Sequence, residues 1–552
     1  MAGMCRGVLP PVDRLVIMDM LVQYGDGDTQ DAVAAAKVLQ GLVNRRGTEK
    51  LYLFNDATDM THDIGGKYWC IQSDWLDRAE AFSGIPRETI VRKEGPNGGL
   101  HGLMDRYASC LQGLVVWDDT RHNNINMAAF GAAVTIASQQ EGLAVSPALL
   151  EQIAGWGYDL PVLLDLRSYE FTSDHALLDW CIGQYWEGSN HDIHCVFSLG
   201  LDGWAPNDQW GDNWLSHDTF HEGPIDYAVA LNGFAFNINI SDANDEHVLM
   251  KLLRKYPEGR TAVLGWVPSH PFLCGFSEVP TCLNATSYFV IGVNGFSNLS
   301  VFAACPRGEA YKSVPKAYDV GPDDVFINFL ASDGDALHCV YRGMFASFTK
   351  DRDACYGQVP ITWTICPVLA EIAPPVYDFF AQNLPLGSDL AIAWADKIYS
   401  VWDTGSDSLA ETWREYAQIS GLHTIWTVNS DEETQRADIC HWDSIIVGYH
   451  DSRVEPRLSV KEAHTSVFGT WHFGDGTWQE MAEGIRAYAE ENPGRPLFLT
   501  VVLGASFGEA REFYARALRV KEALSAGDRR YRFVNAGDMA STYRAYLNQK
   551  HQ

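Results

Sequence analysis

Apolar and polar positions change rhythm along this chain, and the change falls near residue 310. Beyond about residue 322, short apolar runs alternate regularly with amphipathic stretches. The runs VFINFLAS (325–332), PITWTIC (360–366), DLAIAWA (389–395), HTIWTVN (423–429), SIIVGYH (444–450), SVFGTWHF (466–473), PLFLTVVLG (496–504) and RFVNAG (532–537) read as strands. Segments such as DSLAETWREYAQI, TWQEMAEGIRAYAEEN and FGEAREFYARALRVKEAL have helical spacing. Roughly eight such alternations predict a (β/α)-barrel-like domain of seven or eight strands over 322–552. A doubly wound open sheet has the same periodicity and is the competing arrangement.

Before residue 310 the pattern is irregular. RLVIMDM and KLYLFND read as buried strands around a helix at about 29–46, with Thr29 as its N-cap and a stripe through Val33, Ala36, Leu39 and Leu42. Three further strand-and-helix units follow, around LQGLVVWDD, PVLLDLRS and AFNINI. The expectation for 1–315 is an α/β region of several small subdomains. The polar stretch RGEAYKSVPKAYDVGPDD (307–324) reads as the connection. Residues 200–223 (GLDGWAPNDQWGDNWLSHDTFHEG) lack periodicity, and a long loop of this kind implies a job.

Composition narrows the function. The 552 residues carry a formal charge of −30, which argues against binding nucleic acid or an anionic membrane surface. No apolar run is long enough for a transmembrane helix. The N-terminus MAGMCRGVLPPVDRL has no signal-peptide core, and the 12 scattered cysteines contain no CxxC, so the sequence predicts reduced thiols and a cytoplasmic location. No nucleotide-binding glycine motif follows a strand, so no nucleotide cofactor is expected.

In a parallel barrel, the site lies where the strands end. Those ends carry Asp333 and Asp335, then Glu371, Trp394 and Asp396, Asn429, His450 and Asp451, Trp471 and His472 with Asp475 behind, Ser506, and Asn535 with Asp538. Acids interleaved with Trp and His suit carbohydrate chemistry, because sugar faces stack on indoles while paired carboxylates act on the glycosidic bond. The expected catalytic set is Asp333, Asp335, Glu371, Asp396, His450, Asp451 and His472. The expected sugar platform is Trp363, Trp394, Tyr399, Trp402 and Trp471, with Asn429 and Asp475, closed by Trp210 and Trp214 of the 200–223 loop. The expected partner is a small carbohydrate.

The chain also resembles a known family, the GxGYxYP putative glycoside hydrolases. The resemblance rests on LQGLVNRRGTEKLYLFND (39–56), INMAAFGAAVTIASQQEGLAVSPAL (125–149), PIDYAVALNGFAF (224–236), LGW…NLSV (264–301), FINFLASDGDAL (326–337), ITWTICPVLAEIAP (361–374) and FVNAGDMASTYR (533–544). It implies several N-terminal α/β pieces, a C-terminal barrel-like domain and a sugar-processing role. It supplies no catalytic pair to carry over. The family's naming motif should fall at about Lys397 to Asp403, where KIYSVWD has neither glycine, the tyrosine pair nor the proline in register. A pocket wall without that glycine loop takes another shape.

Two rival readings remain at this point. Asp333 and Asp335 are spaced to hold a divalent ion, which gives a metal-dependent hydrolase or lyase acting on a sugar derivative. A chain that lost activity with its glycine motif is a non-catalytic carbohydrate-binding protein. His191 and His194, and His217, His221 and Glu222, have metal-compatible spacings with no completing ligand, so they read as loop residues. Gly504-Ala505-Ser506-Phe507-Gly508 matches a nucleophile elbow, but only His551 follows it, which is the wrong order for a triad.

Overall fold

The computed structural model describes residues 9–20, 27–55, 70–117, 127–196, 224–236, 243–256, 262–264, 289–291, 296–332, 334, 337, 339–349, 356–393, 407–427, 442–448, 453–459, 464–473, 477–505, 510–526 and 529–550. The chain divides into two compact units. One is Met1–Arg307 with Glu371–Pro375, and the other is Gly308–Ala370 with Val376–Gln552.

Among the described residues, the first unit contains three small sheets, parallel throughout. Strands β1 (Arg14–Asp19), β2 (Glu49–Phe54) and β3 (Arg87–Thr89) pair in the order β2-β1-β3. Strands β4 (Gly113–Val116), β5 (Gly142–Val145) and β6 (Val162–Asp165) pair as β5-β4-β6. Strands β7 (Asn190–Val196), β8 (Gly233–Phe236), β9 (Ala262–Leu264) and β10 (Phe289–Ile291) pair as β10-β9-β7-β8.

The expected first helix spans Gln30–Asn44, and every residue from Ala32 to Asn44 is buried, well beyond one apolar stripe. Its polar side chains are therefore spent on internal bonds. Gln40 Nε2 donates to the Leu51 carbonyl (2.9 Å) and to Asn298 Oδ1 (2.7 Å). Asn44 brackets the Leu51 backbone (3.1 and 2.7 Å) and reaches Ser300 Oγ (2.8 Å). Asn298 brackets the Leu53 backbone in the same way (2.7 and 2.9 Å). Asp226 accepts from the Ser300 amide (2.8 Å). Burial pushes the Asp226 carboxyl up, and Lys37 opposes that shift. A Cβ on Gly41 would lie 2.6 Å from the Asp226 carbonyl oxygen. Three family-like segments of this half thus meet in one buried polar knot.

The second unit is a closed barrel. Its strands are β11 (Val325–Ser332), β12 (Ile361–Ile365), β13 (Asp389–Ala393), β14 (Thr424–Thr427), β15 (Ser444–Val447), β17 (Ser466–Trp471) and β18 (Leu497–Ala505), all parallel. The short β16 (Arg457–Leu458) runs antiparallel to β17. β11 pairs with β18 on one edge and, from Phe329 to Ala331, with β12 on the other. That second pairing closes the ring at seven strands and excludes the open sheet. The eighth expected strand, β19 (Tyr531–Phe533), exists but pairs only with Val325–Ile327, below the β12 pairing. It is a wedge at the start of the seam. Helices Pro374–Gln382, Asp407–Ser420, Trp478–Glu491 and Ala510–Ser525 follow β12, β13, β17 and β18. Among the described residues, no helix is long and apolar enough to cross a membrane.

The period of two along β11 points Phe326, Asn328 and Leu330 the same way. Phe326 joins Phe468, Phe498, Val534, Met539, Ala540 and Tyr543 in one cluster. Leu330 joins Ala393, Trp426, Ile446, Val502 and Ala536 in another. Strands that are not neighbours in the sheet meet in these clusters, so they fill the lumen. Between them, Thr362 Oγ1 donates to Asn328 Oδ1 (2.6 Å), Asn328 Nδ2 donates to Thr500 Oγ1 (3.3 Å), and the Ala536 amide donates to Thr362 Oγ1 (2.9 Å). The last helix, Ala536–Lys550, touches β11, β13, β15, β17 and β18. It bonds to strand starts, with Arg544 donating to the Asp443 carbonyl (2.6 Å) and Ser466 Oγ donating to the Ala540 carbonyl (3.4 Å). The helix therefore stoppers the end where the strands begin.

Residues 308–324 run across that same end. Asp389, at the start of β13, accepts from Tyr311 Oη (2.8 Å) and Ser313 Oγ (3.3 Å). Asp538 accepts from the Lys316 amide (2.7 Å) and Tyr318 Oη (3.2 Å). Burial pushes the Asp389 carboxyl up to about 6, against its hydrogen bonds and with help from Asp538. An unfolded Asp titrates near 4, so between pH 4 and 6 the native state holds the extra proton. Stability from this group is therefore present at low pH and falls as pH rises through that window, by at most about 3 kcal/mol. We expect urea unfolding from pH 4 to 7 to show this fall in the wild type and a flatter profile in Asp389→Asn. Parallel profiles would refute the assignment.

Candidate functional site

All seven barrel strands are parallel, so their C-terminal ends, Ser332, Ile365, Ala393, Thr427, Val447, Trp471 and Ala505, share one rim opposite the stopper helix. At the end of β11 the backbone is held with little freedom. The Gly334 amide donates to Thr364 Oγ1 (3.0 Å), Thr364 Oγ1 donates to the Ala331 carbonyl (2.8 Å), and the Cys366 amide donates to the Gly334 carbonyl (2.8 Å). A Cβ on Gly334 would fall 1.8 Å from the Thr364 carbonyl oxygen, so no other residue fits. This accounts for the glycine between two acids: the turn presses backbone against backbone at the end of β12. Beside it, the β11–β18 register shifts between Leu330 and Ala331, a bulge of the kind that re-aims side chains at a rim. A π-helical turn, Cys339–Met344, follows and leads into Phe345–Thr349, and such turns are frequent at functional sites.

The end of β15 is held in a similar way. Gly448 has φ 104°, a conformation that favours glycine. Its carbonyl accepts from Trp426 Nε1 on β14 (3.0 Å) and from Thr470 Oγ1 on β17 (3.0 Å). Both neighbouring strands thus fix the point from which the chain leaves toward His450 and Asp451. Thr364, Trp426, Gly448 and Thr470 escaped the sequence reading. A glycine just past a strand end was the available signal.

Most expected site residues follow these ends in sequence and lie outside the described residues. They are Asp333, Asp335, Trp394, Asp396, Tyr399, Trp402, Asn429, His450, Asp451 and Asp475, together with Trp210 and Trp214 of the 200–223 loop, His217, His221, Glu222 and Ser506. Four are described. His472 directly follows β17, is half-buried, and keeps the inward parity of Phe468 and Thr470. Glu371 is 1% exposed in the short helix Leu369–Ile372 and is counted with the first unit.

The two described tryptophans do not form a platform. Trp363 is fully buried, 5.2 Å from Phe348 and 5.6 Å from Tyr514 between ring centroids. Thr362 and Thr364 take the inward positions of β12, so Trp363 faces the helix layer. Trp471 likewise packs on Tyr488 (4.4 Å) of helix Trp478–Glu491, with the Arg453 guanidinium 5.3 Å from its ring. His191 stacks on Trp186 at 3.7 Å and meets the Trp186 carbonyl with Nε2 (2.9 Å), which is packing. Among the described residues, no group of three His, Cys, Asp or Glu gathers for a metal.

Residues 323–396, which span β11, β12, β13 and the Gly334 turn, match the model described as the GxGYxYP putative glycoside hydrolase C-terminal domain. A putative hydrolase from Bacteroides thetaiotaomicron has the same fold over 98% of this chain and 97% of its own, at TM-score 0.71 and 17% identity. A putative polysaccharide deacetylase from Mycobacterium smegmatis aligns with 43% of this chain and 96% of its own at TM-score 0.30 and 14% identity, a likeness too weak to argue from. No curated protein matches the chain.

Gly334→Ala should be costly, because the new methyl meets backbone and neither strand end can yield cheaply. We expect a loss of about 2–4 kcal/mol in denaturant unfolding. A loss below about 0.5 kcal/mol would show that the turn is loose.

Proposed function

We propose that the chain is a glycoside hydrolase acting on a small glycoside or oligosaccharide at the C-terminal rim of the barrel. The observation that carries this reading is the Gly334 turn, which anchors the chain between Asp333 and Asp335 at the end of a barrel strand. The family match over the same stretch supports it.

The chemistry follows from the pairing. Two carboxylates one residue apart repel, and the repulsion favours keeping a proton on one of them. The protonated member donates to the glycosidic oxygen as it leaves, and an ionised carboxylate on the facing side acts as nucleophile or as base toward water. Asp396 and Asp451, which follow β13 and β15, are the facing candidates. Glu371 drops behind them because it is buried outside the barrel unit. His472 and His450 orient hydroxyls or relay protons. With Trp363 and Trp471 turned outward, stacking falls to Trp394, Tyr399 and Trp402.

The test uses aryl glycosides and oligosaccharides as substrates. Asp333→Asn and Asp335→Asn should each lower kcat by about 10²–10⁴-fold while the melting temperature holds or rises, since one of two repelling charges is gone. Activity that survives both substitutions would defeat the assignment. Exhaustive chelation should leave turnover intact. Loss on chelation, with recovery on adding a divalent ion, would move the chain to the metal-dependent reading.

A further inference from the structure

The first unit carries an aromatic cluster on its surface that the rim does not use. Tyr169 and Phe171 stand parallel on the loop after β6, 5.6 Å apart between centroids and 8° between planes. Trp180, on helix Asp174–Tyr185, meets Tyr169 at 4.9 Å and Phe171 at 5.4 Å, and Tyr185 meets Trp180 at 5.7 Å. Tyr169 is 38% exposed and Val162, at the start of β6, is 48% exposed. The other three rings are half-buried. Four rings in mutual contact, one exposed and three half-buried, make an aromatic patch on the surface.

The cluster is built to stay in place. The Tyr169 amide donates to the Leu166 carbonyl (3.2 Å), the Phe171 amide to the Tyr169 carbonyl (2.7 Å), and Ser168 Oγ to the Asp165 carbonyl (2.6 Å). Arg167 forks onto Asp165 through Nε (2.9 Å) and Nη2 (2.7 Å). A rigid loop loses little entropy on binding. The loop that carries Tyr169 and Phe171 sets donors and acceptors, Asp165, Arg167 and Ser168, next to them in the chain. That mixture matches a ligand with apolar ring faces and hydroxyl edges. The charge of −30 disfavours a polyanion.

We propose that Tyr169, Phe171, Trp180 and Tyr185 form a second binding site, separate from the rim, for an uncharged oligo- or polysaccharide. The choice of ligand rests on the carbohydrate reading above, whereas the site itself rests on the exposed rings. Binding there would hold a long glycan to the protein without cleaving it.

The test is affinity electrophoresis of the full-length protein through gels containing soluble β-glucan, xylan, mannan or starch, with polygalacturonate as the charged control. At least one neutral polymer should retard the protein. Tyr169→Ala and Trp180→Ala should weaken that retardation about tenfold or more, the scale of a lost stacking contact. Asp333→Asn should leave it unchanged. Tyr169→Ala removes the most exposed ring and so keeps the test readable if Trp180→Ala folds poorly. Retardation by no neutral polymer, or retardation indifferent to Tyr169→Ala, overturns the proposal. So does a dimer in light scattering that Tyr169→Ala dissociates, which would make the patch a protein interface on the β6 edge. Cleavage of glycosides without retardation would leave the rim reading standing and remove this one. Retardation through Tyr169 in a protein that cleaves nothing would do the reverse.

Discussion

The barrel depends on one strand being paired along both edges. β11 hydrogen-bonds to β18 over its whole length, while its other edge is shared between β19 at the start and β12 at the end. If β12 paired no higher than β19 does, the sheet would stay open and its strand ends would fan apart. Because β12 takes the upper edge, seven strands close, and the ends of β11 and β12 come close enough for Gly334 to lie on Thr364. Backbone contact at that distance tolerates no side chain. The same closure places polar Asn328, Thr362 and Thr500 inside the lumen, where they satisfy one another between two apolar layers.

The segments that resemble the GxGYxYP family divide by physical role. Residues 39–56, 224–236 and the end of 264–301 supply Gln40, Gly41, Asn44, Asp226, Asn298 and Ser300, all spent on one buried network inside the first unit. Residues 533–544 supply the stopper of the barrel through Ala536, Met539, Ala540 and Tyr543. Only 326–337 and the neighbouring 361–374 shape the rim. Resemblance over the N-terminal half thus speaks for architecture, and the argument for chemistry is confined to a short stretch.

Much of this was legible in the sequence. Apolar runs separated by helical spacing announce a parallel α/β domain, either a barrel or an open sheet, and the Asp-Gly-Asp turn marks one strand end. The seven-versus-eight ambiguity came from RFVNAG, of which only Arg532 and Phe533 join the ladder, together with the preceding Tyr531. Register cannot be read from one strand alone. Trp363 and Trp471 misled for a related reason. Trp363 lies mid-strand in β12 and Trp471 ends β17, each beside polar residues, yet the pleat turns each toward the helices, and only their neighbours Thr362, Thr364 and Thr470 reveal the inward parity. Glu371 lies just past β12, and the sequence shows its distance from the strand without showing which unit buries it. The clamps at Gly334 and Gly448 depend on residues from adjacent strands, so they appear only once the barrel is closed.

On the proposed reading, a sugar is held at the rim above β11 and β12. The most direct measurement is a crystal structure of the full-length Asp333→Asn protein soaked with an oligosaccharide that the wild type cleaves. We expect sugar density at the strand ends, against the turn around Gly334 and within reach of His472. Density confined to another surface, with that rim occupied by water alone, would contradict it.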